Sequence, residues 1–204
     1  MENADILQVA ADILSEFLEV AIHNILFVCN VYPPEAFERR RKYNVPVQMS
    51  LHPAVCAYIT NSITTIHKLL KKNEIEKIVI SILNCKEKPL KHFVFDIDIP
   101  SDKELQKDFS LIDVEMALRA LCLKINISDG ILESNSDENT FRIFIHTKQM
   151  TAISLAVSDD NSAQEFPWIE AEFEQSDVEN GVIVPIKTAD TEIAKMQFYV
   201  VEKE

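Results

Sequence analysis

With 204 residues, 47% of them hydrophobic, the chain is long enough to bury a sizeable core as one domain and too apolar to be wholly disordered. Its formal charge is −13, and twelve acids against three lysines from Asp159 onward put most of the excess in the last quarter, so the whole protein repels phosphate and no direct nucleic-acid ligand is expected. Two glycines, Gly130 and Gly181, are too few to build a phosphate-cradling loop, which excludes P-loop and dinucleotide-binding enzymes.

Taken in order, Ile6, Val9, Ala10, Ile13, Phe17, Val20, Ala21, Ile25 and Val28 recur at helical spacing and predict a long first helix, ended by Pro33 and Pro34. Glu2 and Asp5 replace the basic start of a signal peptide, and Glu16, Glu19, His23 and Asn24 interrupt the apolar run, so neither a leader nor a membrane span is expected. The segment from Glu35 to Lys42 reads as a charged helical turn holding the basic run Arg39, Arg40, Arg41 and Lys42, either a solvated turn or a contact for nucleic acid or for an acidic partner. Tyr43 to Met49 alternates as a short edge strand that tolerates Pro46.

Pro53 suits the first turn of a second helix reaching about Lys72, with Val55, Ile59, Ile63, Ile66 and Leu70 buried. Tyr58 flanks that stripe, either as a boundary residue with a wet hydroxyl or as a ligand-facing aromatic. Lys77 to Leu83 and Leu90 to Ile97 predict an antiparallel hairpin. From about Phe109 to Leu132 the chain reads as a helix apolar on two faces, with Leu111, Val114, Leu118, Leu121 and Ile125 in one stripe and Ile112, Met116, Ala120, Leu123 and Ile127 in another. Such a helix is expected to be the hub of the fold, covered on both sides, with Arg119 on its polar ridge either solvated or anchoring an interface. Thr140 to Thr147 alternates as a further strand of the same sheet, and the irregular order of helices and strands indicates an α+β fold.

The last fifty residues run as strand, long loop, strand. Ile153 to Val157 is apolar, Ser158 to Glu165 is an acidic loop, and Phe166, Pro167 and Trp168 bring two aromatics around a proline. Val182 to Ile186 and Ile193 to Val201 are the final strands. Alternation turns Met196, Phe198 and Val200 to the core, and Gln197, Tyr199 and Val201 away from it, where they either meet solvent or form a partner surface.

No constellation for catalysis emerges. Cys29, Cys56, Cys85 and Cys122 lack metal or redox spacing and read as reduced, buried thiols. Cys56 and His52 can share a helix face, but nothing supplies an orienting third group or an oxyanion hole. No enzyme activity, cofactor or metal site is expected.

Five runs carry a family resemblance: Glu16 to Ala21 (EFLEVA), Lys42 to Ser50 (KYNVPVQMS), Phe93 to Asp96 (FVFD), Phe166 to Ile169 (FPWI) and Lys195 to Val200 (KMQFYV). Together they resemble the HORMA-domain accessory subunits of translesion DNA polymerase zeta, and KYNVPVQMS with FPWI separates these from the spindle-checkpoint relative that shares the fold. The resemblance covers residues 1–204 as a single domain and implies three helices on a mainly antiparallel sheet, a core over about 1–157, and a mobile safety belt over about 158–204. It implies a non-catalytic adaptor of DNA damage bypass in the nucleus, and possible presence in the cytoplasm, that traps a proline-containing peptide of the catalytic subunit under the belt, with Tyr58 and Trp168 lining that site. It further implies that Ile183, Gln197 and Tyr199 receive the C-terminal domain of the deoxycytidyl-transferase scaffold polymerase. A homodimer or contact with another HORMA protein falls on Arg119 and Arg39, with Asn30 where the family has an acid and Gly130 where it has alanine. An AAA+ remodelling ATPase is a further implied partner, acting at the N-terminal segment. The alternative is a cell-cycle or checkpoint HORMA protein that traps a peptide of a mitotic regulator, an activator of the anaphase-promoting complex.

Overall fold

The first helix, α1 (Asn3–Val28), is buried nearly all round: Ile6, Ala10, Leu14, Phe17, Leu18, Ala21, Ile22, Ile25 and Leu26 are each almost fully enclosed. In the computed structural model, which describes residues 3–100, 109–128, 139–148, 168 and 178–203, this helix rather than the third is the hub. It packs on α2 (Pro53–Leu70), on α3 (Leu111–Ser128) and on a two-stranded ribbon, β1 (Phe37–Lys42) with β2 (Val45–Ser50). It also lies on a five-stranded sheet through Phe17, whose ring meets Phe95 edge-on at 5.9 Å. The end of α1 is set by Asn30, held at φ 50°, with Asn30 N–H on the Phe27 carbonyl and Val31 N–H on the Leu26 carbonyl, the paired bonds of a left-handed helix stop.

The sheet contains β3 (Ile75–Leu83), β4 (Pro89–Asp98), β5 (Thr140–Thr147), β6 (Gly181–Asp190) and β7 (Lys195–Lys203) in the order β5-β3-β4-β7-β6, all neighbours antiparallel. The strands expected at 77–83, 90–97 and 140–147 are therefore present, and the C-terminal hairpin β6–β7 docks on β4. An aromatic stack fastens that seam: Phe198 on β7 lies parallel to Phe95 at 4.7 Å and beside Phe93 at 6.4 Å, and all three rings are buried. Toward the other end of the seam Lys91 stands opposite Glu202, Nζ to Oε2 3.6 Å, both largely withdrawn from water.

Three expectations are corrected. The third helix has one buried stripe, Val114, Leu118, Leu121, Cys122 and Ile125, whereas Ile112, Met116, Leu123 and Ile127 of the other face are 45–71% exposed, and Leu111, expected in the buried stripe, is 62% exposed at the start of the helix. Two apolar stripes told of two contacts, but only one of them is made among the described residues. The basic run is not a helical turn: after the short 3-10 turn Pro34–Ala36 it is strand β1, paired with β2 through Tyr43 and Asn44, both at positive φ as a two-residue hairpin turn requires. Cys85, expected to be buried, is exposed beside Asn84 at the β3–β4 turn, while Cys29 and Cys56 are half-buried. Cys122 fits the expectation, its thiol pushed up to about 12 by burial and so held protonated.

The ribbon is attached by polar side chains, two of which lie next to each other on α1. Asn24 Oδ1 accepts the Gln48 N–H at 3.1 Å, and His23 Nδ1 accepts the Ser50 N–H at 3.2 Å. From α3, Asn126 donates to the Pro46 carbonyl at 3.0 Å and accepts from Asn24 Nδ2 at 2.6 Å. These bonds replace the neighbouring strand that β2 lacks on this side. His23 is 3% exposed and must be neutral to accept at Nδ1; burial, and then the charge of Arg40, lower its pKa from 6.5 to about 4.

A histidine depressed in the folded state binds its proton in the unfolded chain first. Its stabilising effect is complete above about pH 6.5 and is lost as the pH falls through about 4, to the extent of about 3 kcal/mol. Urea midpoints measured from pH 7.5 to 4 should therefore fall more steeply for the wild type than for His23→Asn, and parallel curves would contradict this assignment.

Candidate functional site

The sheet has two outer strands. On one side lies β6, and on the other β5 uses only one of its edges, since among the described residues its sole strand neighbour is β3. The Ile143 N–H, turned away from β3, meets the Tyr58 hydroxyl at 3.4 Å. Tyr58 comes from the outward side of α2 and is half-buried, its ring edge-on to Phe141 of β5 at 5.4 Å, while Tyr32 meets the same phenyl ring at 6.4 Å. Burial raises the Tyr58 pKa against the opposing pull of the Ile143 N–H and the Arg142 charge, so the phenol stays protonated at neutral pH.

Seven residues along α2, and so on the same helix face, Thr65 receives the indole of Trp168: Nε1 donates to Thr65 Oγ1 at 3.1 Å. Trp168 is 38% exposed. Of the two residues expected to line one site, Tyr58 belongs to α2 and borders the open edge of β5, and Trp168 is seated against α2 through Thr65. The other residues of the FPWI run, and most of the segment expected to be the belt, lie outside the described residues, as does Gly130. The ends of that connection are placed nonetheless. Thr147 ends β5 at one border of the sheet and Gly181 begins β6 at the other, four strand spacings or about 19 Å apart across the strands.

Ile183, Gln197 and Tyr199 share the face of the sheet turned away from α1. Gln197 stands opposite Asp96 and Thr188, Tyr199 opposite Val94 and Pro185, and Ile183 opposite Val201. Directly opposed residues project to one side. Ile183 is 64% exposed and Gln197 exposed, while Tyr199 is half-buried, its pKa raised by burial and by Asp96 and Glu76. Arg119, Arg39 and Asn30 are all exposed, and no hydrogen bond or ion pair joins them to one another among the described residues. Arg119 lies among the uncovered apolar residues of α3, and Arg39 on β1.

Sequence reasoning missed Thr65, the uncovered edge of β5, and the clamp formed by His23, Asn24 and Asn126. Two adjacent polar residues inside an otherwise apolar helix were the available signal for the clamp. The Cys56 thiol donates to the Ser50 carbonyl at 3.1 Å, and the His52 backbone N–H donates to Ser50 Oγ. Among the described residues no three potential ligands converge on a metal position, and no helix is long and apolar enough to cross a membrane.

A family profile described as "HORMA domain" matches residues 10–163. The "Mitotic spindle assembly checkpoint protein MAD2B" of Danio rerio is 43% identical over 196 residues, 96% of this chain and 92% of that protein. The "DNA polymerase zeta subunit 2" of Drosophila melanogaster is 24% identical over 95% of this chain and 98% of its own. In three dimensions the chain superposes on the Caenorhabditis elegans protein in "Structure of C. elegans HTP-2 bound to HIM-3 closure motif" with a TM-score of 0.74, at 10% identity, over 97% of this chain and 91% of that one. With three helices on an antiparallel sheet and a matching relative along nearly its whole length, the chain belongs to the HORMA domain family.

Proposed function

We propose that the protein is a non-catalytic adaptor of a DNA polymerase zeta that captures a proline-containing, aliphatic peptide of the catalytic subunit along β5. The observation that carries the reading is the open β5 edge bordered by Tyr58, with Trp168 seated on the same face of α2. An extended peptide added there gains main-chain hydrogen bonds from the strand edge, while flat rings give its prolines rigid contact area at small entropic cost. The chain that connects β5 to β6 has to span the sheet, and closing it over a bound strand makes release depend on local opening of that segment. Dissociation is then slow, and affinity is set mainly by the off-rate. The name of the Drosophila relative supports the polymerase assignment, and the closure motif on the HTP-2 neighbour supports a peptide as the ligand.

On this reading Ile183, Gln197 and Tyr199 hold the C-terminal domain of the scaffold polymerase, on a sheet face separate from the β5 edge, so that one molecule can bridge two polymerases in the nucleus. The uncovered stripe of α3, with Arg119 in its midst, is the contact with a second copy or another HORMA protein; Arg39 and Asn30 contribute at its margin. Exposed apolar area of this extent on a single helix marks a protein contact rather than a solvated face.

Calorimetry with a peptide of the catalytic subunit should show Trp168→Ala and Tyr58→Ala weakening capture by about 1 to 4 kcal/mol each. Emission from Trp168, the only tryptophan, should shift when the peptide binds. Unchanged affinity in both variants would remove these residues from the site, and preferential capture of a peptide from an anaphase-promoting complex activator would favour the checkpoint alternative. Tyr199→Ala should abolish binding of the scaffold domain and leave peptide affinity within about twofold; a joint loss would mean that the two surfaces are not independent. In sedimentation equilibrium at tens of micromolar, Met116→Glu and Arg119→Ala should each move the protein from dimer toward monomer, whereas a wild type that is monomeric throughout would refute the α3 contact.

A further inference from the structure

The two edges of the β1–β2 ribbon are treated differently. On β2, the groups that face away from β1 end on side chains: the N–H of Gln48 on Asn24, the N–H of Ser50 on His23, and the carbonyl of Pro46 on Asn126. Arg39 lies opposite Gln48, and Arg41 lies opposite Pro46. Directly opposed residues of an antiparallel pair both turn their backbone groups inward or both turn them outward. The N–H and C=O groups of Arg39 and Arg41 therefore point out along the free edge of β1, and among the described residues none of them meets a hydrogen-bonding partner.

The side chains of that edge are cationic. Arg40 pairs with Glu38 on its own strand, and Lys42 reaches Glu16 on α1 at 2.6 Å. Arg39 and Arg41 project together to the other face, are exposed, and have no acidic partner among the described residues. A strand edge carrying charge is protected against neutral or like-charged strands, but it admits one of opposite charge.

The geometry points to the outer edge of β1 as a docking strand for an extended acidic segment of a partner protein, which would add to the ribbon as a third strand. Every second residue of such a segment falls on the side of Arg39 and Arg41, so carboxylates at alternate positions meet both guanidinium groups while the backbone satisfies the open N–H and C=O groups. A polynucleotide offers no such ladder, and the charge of −13 opposes its approach to a single cationic strand. The chemistry differs from that of the β5 edge, which is bordered by aromatic rings, and the inference does not rest on the adaptor reading.

The test uses the full chain and three fluorescein-labelled probes in polarisation titrations: a decapeptide alternating Thr and Glu, its Thr and Lys counterpart, and a twelve-nucleotide oligo-dT. The acidic peptide should bind, more weakly as salt is raised, and the lysine peptide should not. Arg41→Glu, outside the residues assigned to the copy-to-copy contact, should weaken the acidic peptide by about fivefold or more and Arg39→Glu/Arg41→Glu by about tenfold or more. Arg41→Pro, which deletes an outward N–H at a position where an edge strand tolerates proline, should bind more weakly than Arg41→Ala, with circular dichroism unchanged. The inference is overturned if the wild type does not distinguish acidic from basic peptide, if Arg41→Glu binds as the wild type does, if Arg41→Pro and Arg41→Ala are equal, or if oligo-dT binds more tightly than the acidic peptide.

Discussion

The seam between β4 and β7 decides what the rest of the molecule can do. A sheet of five strands has two borders, and by stacking Phe198 on Phe95 and Phe93 the C-terminal hairpin takes up the flank of β4. That leaves β5 at the opposite border with one edge unused among the described residues. Burial of the three rings contributes on the order of several kcal/mol, comparable with the whole net stability of a small domain. The Lys91–Glu202 pair adds little net energy when it is intact, but breaking it would strand a buried charge, so it favours one register of the seam.

Behind this seam stands α1, which has to satisfy an apolar sheet, two helices and a ribbon at once. Most of its circumference meets these demands with aliphatic side chains and Phe17. Where it faces the ribbon it uses His23 and Asn24 instead, because the backbone of β2 presents donors that no strand reaches among the described residues. Asn126 closes the same network from α3, so one set of hydrogen bonds ties α1, α3 and β2 together. The inner β2 edge is thereby completed by side chains, and Pro46 is accommodated because it sits at a position that donates nothing to β1 and uses only its carbonyl, toward Asn126.

Local pattern made the helices and the central strands legible, because the periods of 3.6 and 2 are properties of short segments. It failed where the answer depends on what lies beside a segment. The third helix looked like a hub because Ile112, Met116, Leu123 and Ile127 are as apolar as its buried stripe, and composition does not say whether the cover belongs to this chain or to another. The basic run looked like a turn because charge hides the alternation of a strand, although Phe37 at its start and the Tyr43–Asn44 hairpin were signs of one. The placing of Tyr58 and Trp168 in one peptide site came from family resemblance, although the position of Tyr58 beside the α2 stripe had already left a ligand-facing role open. Thr65, which seats the indole, had no sequence mark at all, since a threonine on a helix face is equally at home in solvent.

Strand edges are where these threads meet. A soluble protein normally covers or blunts each edge, since an uncovered one recruits other chains indiscriminately. Here three edges are handled in three ways: β2 is capped by polar side chains, β1 is lined with cations, and β5 is bordered by aromatic rings. The backbone groups along them are chemically identical, so discrimination has to come from what flanks each edge. Rings beside β5 reward an apolar, proline-bearing strand and give a charged one nothing in exchange for its lost hydration. Guanidinium groups beside β1 do the reverse. If both proposed edges are used, one fold keeps two strand-shaped partners apart by flanking side chains alone, provided that the seam at β4 stays closed and holds β7 away from the free edge of β5.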